Sequence, residues 1–230
     1  GACQMSIGDA EIKTQERVIR FFKDPEILGY QYIGNLSDYQ NKNIKEDRLR
    51  QYLRLKGYAD KLIDAAIMQL QQEAGNLSRG VYDANKTVYS RLKYGIPVSE
   101  SPEKPPVTVQ LVDEEKPLNN DFAIAEEVTV VEQSEKRPDL VVYLNGIAVA
   151  VIELKRSSIS VSEGIRQNLT NQKNSFIQSF FTTMQFCMAG NESEGLRYGT
   201  LLTGEKFYME WKDDGFKEHE EERDPVDVRI

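Results

Sequence analysis

An α/β (α+β) fold, with a mixed central sheet flanked by helices and preceded by a helical portion, is predicted by three features of this 230-residue sequence. Apolar positions fall at helical spacing through the first ~95 residues. Beyond a connector at 99–106, which holds three of the eight prolines, the period becomes strand-like. One further helical segment, 162–173, is then inserted between β-branched runs. Helices followed by a sheet with an inserted helix define a mixed α/β core.

The elements follow in chain order. Segment 14–23 sets Val18, Ile19, Phe21 and Phe22 on its apolar side. Segment 44–56 places Leu49, Tyr52, Leu53 and Leu55 among seven charged residues and is closed by Gly57. Segment 60–73 repeats the pattern with Leu62, Ile63, Ala66, Ile67 and Leu70. Ser78 is placed to cap a third helix with the stripe Val81, Ala84, Val88 and Leu92, ended by Gly95 and Pro97. Strands are expected at 107–112 and 122–131, where Phe122, Ile124, Val128 and Val130 share one parity. Runs 139–144 and 147–155 meet across Asn145-Gly146, the strongest hairpin signal in the chain. In helix 162–173, Ile165 and Leu169 point inward while Glu163, Gln167 and Asn171 lie on another side. Strands are then expected at 181–188, 196–202 and 207–211. Residues 213–224 carry seven acids and two bases and read as solvated. The expected organisation is a helical portion at 1–98, a core at 99–212 and an acidic linker at 213–230.

Composition narrows the chemistry. With 37 acids against 29 bases the net charge is -8, which argues against a polybasic coat but not against a local basic groove. The longest apolar run, 146–152, is far too short for a membrane span, and Asp9, Glu11 and Lys13 stand where a secretory core would lie. A soluble cytoplasmic protein is the expectation. Cys3 and Cys187 are too few and too distant for a disulfide framework or a zinc site. His219 is the lone histidine and sits in the acidic tail, so a histidine base or metal cage is disfavoured. Segment 199–206 resembles a phosphate loop until Glu205, which occupies the position that demands lysine. Carboxylates, lysines and a bound divalent ion are what remain for catalysis.

Those groups converge at Pro138-Asp139 and, fourteen residues beyond Asp139, Glu153-Leu154-Lys155. Two carboxylates on adjacent strands suit Mg²⁺, which takes oxygen ligands and keeps several waters. Strand alternation sets Glu153 and Lys155 on one face, ~6.6 Å apart. There the lysine can orient a water or offset charge on a phosphoryl group. Leu154 points the other way, leaving its carbonyl as a further ligand. An acid and a base at the exit of the apolar run 148–152 suggest a site at the end of a sheet. The register must cooperate. A plain two-residue turn at Asn145-Gly146 sets Asp139 opposite Ile152 and on the wrong face. A three-residue loop of Leu144, Asn145 and Gly146, with Gly146 in a bulge, pairs Asp139 with Val151 and brings it diagonally beside Glu153. The three-residue loop, or some other one-residue irregularity, is therefore expected. By spacing alone the motif is weak, since ordinary strand-edge charges produce it often.

These residues also carry a family likeness. Arg137-Pro138-Asp139-Leu140-Val141-Val142, then Asn145-Gly146, then Val151-Ile152-Glu153-Leu154-Lys155, resembles the nuclease domain at the N-terminus of type I restriction enzyme R subunits, in the PD-(D/E)-x-K superfamily. The likeness continues through Gly164-Ile165-Arg166-Gln167, Asn171-Gln172-Lys173, Tyr198-Gly199-Thr200 and Trp211, covering about residues 107–211. It implies a restriction-endonuclease-like fold in which Asp139 and Glu153 ligate Mg²⁺ and Lys155 is the catalytic lysine. Gln167 would be the glutamine of a Q-x-x-x-Y motif, although Asn171 stands in the tyrosine's place. Glu16 matches a loosely placed family acid.

Residues 129–173 hold six bases (Lys136, Arg137, Lys155, Arg156, Arg166, Lys173) and five acids, against a net -9 for the rest. That is consistent with a phosphate-binding face inside an acidic shell. Nothing resembles a base-reading motif, so contact with the backbone of double-stranded DNA is expected. The resemblance implies hydrolysis of DNA phosphodiesters without choice of sequence. It implies modification and specificity subunits as partners, and a longer subunit with an ATP-driven motor that this chain, lacking a Walker motif, does not contain. A stand-alone repair or phage-type nuclease and a non-catalytic interaction module are the alternatives.

Overall fold

The computed structural model describes residues 7–212, so the expectations for His219, Cys3 and the acidic tail lie outside the described residues. Helix α1 (Ile7–Lys23) leads to strand β1 (Gln31–Asn35). Helices α2 (Glu46–Leu55), α3 (Asp60–Gly75) and α4 (Val81–Tyr94) follow, then a small hairpin, β2 (Ile96–Val98) and β3 (Val107–Val109). Next come β4 (Phe122–Glu126), the short pair β5 (Val130–Val131) and β6 (Glu135–Lys136), β7 (Leu140–Leu144) and β8 (Ile147–Leu154). Helix α5 (Val161–Asn171) precedes β9 (Phe186–Asn191), β10 (Gly195–Gly199) and β11 (Met209–Glu210). The main sheet runs β1-β4-β7-β8-β9-β10-β11, parallel at β1/β4 and β8/β9 and antiparallel elsewhere. This is the predicted mixed sheet flanked by helices. No helix among the described residues is long and apolar enough to cross a membrane.

The sheet separates two buried layers. One holds Ala123, Ala125, Val141, Tyr143, Ala148, Val151 and Cys187 with Val81 of α4 and the aromatic pair Phe180 and Phe181. The other sets Ile124, Leu140, Val142, Ala150, Ile152 and Leu154 against Ile19 of α1. A third cluster packs α2, α3 and the C-terminal part of α4 around Ile147 and the β2/β3 hairpin.

The turn at Asn145-Gly146 has two residues, not three: Leu144 pairs with Ile147, and both turn residues take positive φ, 52° and 84°. That is the signature of a type I′ hairpin turn. The irregularity lies in the strand instead. Tyr143 pairs with Ala148 but Val142 with Ala150, so Val149 is an extra residue bulged out of the ladder. The hairpin end is claimed by the segment ahead of α2, where the Ala148 N–H donates to the Asn43 carbonyl and Lys45 N–H to the Gly146 carbonyl. Ala148 and Val151, three apart, consequently share one layer.

Gly146 is required twice over. Besides its positive φ, a Cβ there would sit 2.6 Å from the Lys45 carbonyl oxygen and 2.7 Å from the Leu49 nitrogen. Asn145 is fully buried, receiving the Asp121 N–H and donating to the Leu111 carbonyl. Gly146→Ala is expected to cost about 3 kcal/mol from overpacking and left-handed strain, measured by urea unfolding.

Other expected elements shifted for local reasons. Helix α4 is capped by Gly80 at φ 92°, not by Ser78, whose N–H and hydroxyl donate to Asn76 Oδ1. Strand β4 stops at Glu126 because Glu127 takes φ 52°. That kink puts Val128 and Val130 in the layer opposite Ile124, so the expected common parity fails. The strand expected at 181–188 begins only at Phe186. A 3-10 helix, Gln178–Thr183, occupies its start, with the Ser179 and Phe180 N–H groups donating to Glu132 and the Asn85 amide donating to the Phe181, Thr182 and Met184 carbonyls. Side chains there satisfy backbone groups that a sheet ladder would otherwise take. Strand β1, inside the region read as mostly helical, joins the main sheet beside β4.

Candidate active site

The bulge at Val149 decides where the carboxylates meet. Leu140 pairs with Ile152, so continuing the register by one residue sets Asp139 opposite Glu153, on the face that carries Val141 and Val151. The sequence calls for a one-residue irregularity to bring both acids to one face, either a three-residue loop or another such break, and the second of these is what occurs. It occurs four residues before Glu153, and it makes the acids direct rather than diagonal neighbours.

Glu153 is 0% exposed, and Asp139 is half-buried. Burial, then the neighbouring Asp139 charge, pushes the Glu153 carboxyl well above its ordinary range. Asp139 is also raised, chiefly by burial, with the Leu154 N–H donating to its Oδ2 at 2.7 Å as the main opposing influence. Leu154 itself turns to the other layer, as alternation requires.

Helix α5 closes the site from one side. Ser160 caps it by accepting from the Ser162 N–H, which starts the helix close to the end of β8. Gly164 lets it approach: a Cβ there would lie 2.9 Å from Ala189 Cβ and 3.6 Å from Glu153 Cβ. One turn on, Gln167 accepts from Lys155 Nζ at 2.7 Å and donates through Nε2 to Glu153 Oε2 at 3.1 Å. Asp139, Glu153, Lys155 and Gln167 thus form one cluster, the first two adjoining and the last two linked by the amide. Gly164→Val is expected to force α5 outward and separate Gln167 from Lys155. A loss of about 1–3 kcal/mol in unfolding free energy and a large fall in any cleavage rate would accompany it.

Glu153 Oε1 is buried with no hydrogen-bond partner. An unmet carboxylate oxygen beside a second carboxylate is an acceptor set that a hard cation satisfies. No group of three His, Cys, Asp or Glu side chains forms a metal cluster among the described residues. Asp139 and Glu153 are the two carboxylates that could hold such an ion, with backbone or water oxygens completing its shell.

Asn171 departs from the sequence expectation. It is 2% exposed and belongs to the buried stripe of α5 rather than to an exposed polar side. Glu16 faces solvent, whereas its neighbour Gln15 is buried and donates to Glu126 and Glu127. Glu127 is the residue that composition and spacing did not single out. Its N–H donates to the Asp139 carbonyl, its carboxylate pairs with Arg137 at 2.7 Å, and its charge adds to the upward shift of Asp139. The sole sequence sign was an acidic pair, Glu126-Glu127, interrupting a strand-like run. Of the six bases counted near the site, Arg137 is held by Glu127 and Arg166 by Glu163 and Glu205. The local positive field is therefore weaker than the count suggested.

A family model described as type I restriction enzyme R protein N terminus matches residues 11–207. A search of curated proteins found no match.

Proposed function

The chain belongs to the type I restriction enzyme R protein N-terminal family, the nuclease region of a multi-subunit enzyme that acts on DNA, and we propose that its Asp139–Glu153–Lys155–Gln167 cluster hydrolyses DNA phosphodiesters with Mg²⁺. The observation that carries this reading is the placement of Asp139 against Glu153 by the bulge, with Lys155 joined to the pair through Gln167. Asp139 and Glu153 would hold the ion, which when bound polarises a phosphate oxygen and acidifies an attacking water. Lys155 places a positive charge beside the carboxylates, where it offsets negative charge growing on the phosphoryl oxygens and orients the water. Gln167 fixes the lysine by accepting its hydrogen bond and fixes Glu153 by donating to it, so neither side chain has to be ordered during the reaction. The Leu154 N–H holds Asp139 in place. Water adds across the P–O bond, its oxygen to phosphorus and a proton to the leaving alkoxide.

The wider reading, by family, is cleavage without sequence choice after translocation by an ATP-driven motor elsewhere in the subunit, together with modification and specificity subunits. A crystal soaked in Mn²⁺ tests the site directly. An anomalous peak within ligand distance of both Asp139 and Glu153, together with Mg²⁺-dependent nicking in the assembled enzyme, supports the reading. No metal at that position and no calorimetric binding of Mg²⁺ or Mn²⁺ would leave a non-catalytic module. Cleavage by the chain alone, without ATP, would point to a stand-alone nuclease.

A further inference from the structure

Helix α4 carries a surface that neither its packing nor the cleavage chemistry uses. Its buried stripe is Val81, Ala84, Val88 and Leu92. Tyr82, Lys86, Tyr89 and Lys93 step by four, three and four residues, so they line one side turned away from that stripe, and Arg79 lies just before the helix, ahead of the Gly80 cap. Tyr82 and Tyr89 are 58% and 49% exposed. Arg79 and Lys86 have no ionic partner among the described residues; Lys93 forms no close ion pair, but it lies over the ring of Tyr94 and is drawn by Tyr89, by Tyr94 and, least, by Glu114. Arg91, on the inner side of the helix, is by contrast paired with Glu73. In a chain of net charge -8, acids are plentiful, and most arginines of the helical portion have found one. Cations without close ion-pair partners are the pattern by which proteins track a nucleic-acid backbone, and tyrosine hydroxyls beside them can donate to phosphate oxygens; Asp83 lies exposed among them.

The helix is also placed for it. Val81 belongs to the buried layer of Val141 and Val151, on the sheet face that carries Asp139 and Glu153. The Asn85 amide ties α4 rigidly to the segment entering β9 by donating to three carbonyls. From Tyr82 to Lys93 the helical stripe spans ~17 Å, about five base pairs of duplex.

We propose that the Arg79–Tyr82–Lys86–Tyr89–Lys93 face of α4 is a second DNA-contact surface, holding duplex backbone through its cations and tyrosine hydroxyls without reading sequence. The proposal rests on the reading that the chain acts on DNA, and places part of that grip away from the cleavage cluster. It also answers the weakness of the positive field at that cluster, where Arg137 and Arg166 are neutralised by acids.

The test is fluorescence anisotropy of a labelled mixed-sequence duplex with the 230-residue chain across a salt series. The triple variant Arg79→Ala/Lys86→Ala/Lys93→Ala is expected to bind at least about tenfold more weakly, with the slope of log affinity against log salt smaller by ~2.7. Tyr82→Ala/Tyr89→Ala is expected to weaken binding with little change of slope. The charge-retaining variant Arg79→Lys/Lys86→Arg/Lys93→Arg is expected to bind as the parent does. A charge-matched control, Lys23→Ala/Lys42→Ala/Lys116→Ala, should bind nearly as the parent does. Unchanged affinity and slope in the α4 triple variant, or an equal loss in the control, overturns the proposal. So does unchanged duplex binding with lost assembly into a larger complex, which would make the face a protein interface. Duplex binding that depends on α4 in a chain that never cleaves would instead sink the nuclease reading and leave this surface standing.

Discussion

Glu153→Gln is expected to lower Mg²⁺-dependent cleavage by about a thousandfold or more while leaving the fold intact and the metal-free protein no less stable. The two halves of that result have one cause. Glu153 is fully buried, keeps one oxygen without a partner, and faces Asp139 directly, so its charged form is disfavoured in the absence of a cation. An amide of the same shape removes the repulsion and can still pair with Gln167. It forfeits the negative charge that a divalent ion requires. Lys155→Ala and Asp139→Ala should also abolish cleavage with the fold retained, and any of the three keeping full Mg²⁺-dependent nicking in the assembled enzyme would remove that residue from the site. A thermal melt beside a plasmid-nicking assay measures both halves. A large drop in melting temperature for Glu153→Gln would show that the carboxylate is structural.

Divalent-ion affinity is expected to rise with pH by close to tenfold per unit over the range in which Glu153 is still protonated. The sign follows from the upward shifts. Glu153 starts from an ordinary 4.5 and Asp139 from 3.8, and both are raised in the fold. A carboxyl raised in this way contributes stability below its unfolded pKa, and that contribution is lost as pH climbs through the folded value. The metal-free protein should therefore lose stability upward from about pH 4.5 on account of this pair. A divalent ion binds the deprotonated pair, so the increment it adds to the melting temperature should grow as pH rises from the ordinary 4.5 of Glu153 through its raised value in the fold. Calorimetric titrations in buffers of different ionisation enthalpy would count the protons released. An affinity flat across that range would mean that the carboxyls are already ionised and that burial does not govern them. In Glu153→Gln the pH dependence should shrink to what Asp139 alone contributes.

Much of the site was legible as linear pattern because its parts lie close in the chain. Asp139, Glu153 and Lys155 sit on two strands joined by one short turn, and Asn145-Gly146 announces that turn without help from the rest of the molecule. Gln167 was legible only through likeness to a family, since nothing about one polar residue on a helix face says that it bridges Lys155 and Glu153. Glu127 and Gln15 were not legible. Their places depend on a backbone kink at φ 52° and on α1 packing across the sheet, contacts that span more than a hundred residues. The 3-10 segment Gln178–Thr183 read as a strand because Phe180 and Phe181 are as much at home in a buried β run as in a buried turn.

Sequence by itself determined the class of fold, the hairpin, the helical stripes and the pairing of two acids with a lysine, since each follows from local periodicity or turn chemistry. Tertiary structure alone decided whether those acids meet. A two-residue turn on its own would have set Asp139 against Ile152 and sent the carboxylates to opposite faces. The segment ahead of α2 hydrogen-bonds to the hairpin end, Val149 stands outside the ladder, and the side-chain period of two is broken once. A slip of one residue reverses every later side chain, so that single bulge turns Asp139 and Glu153 toward each other.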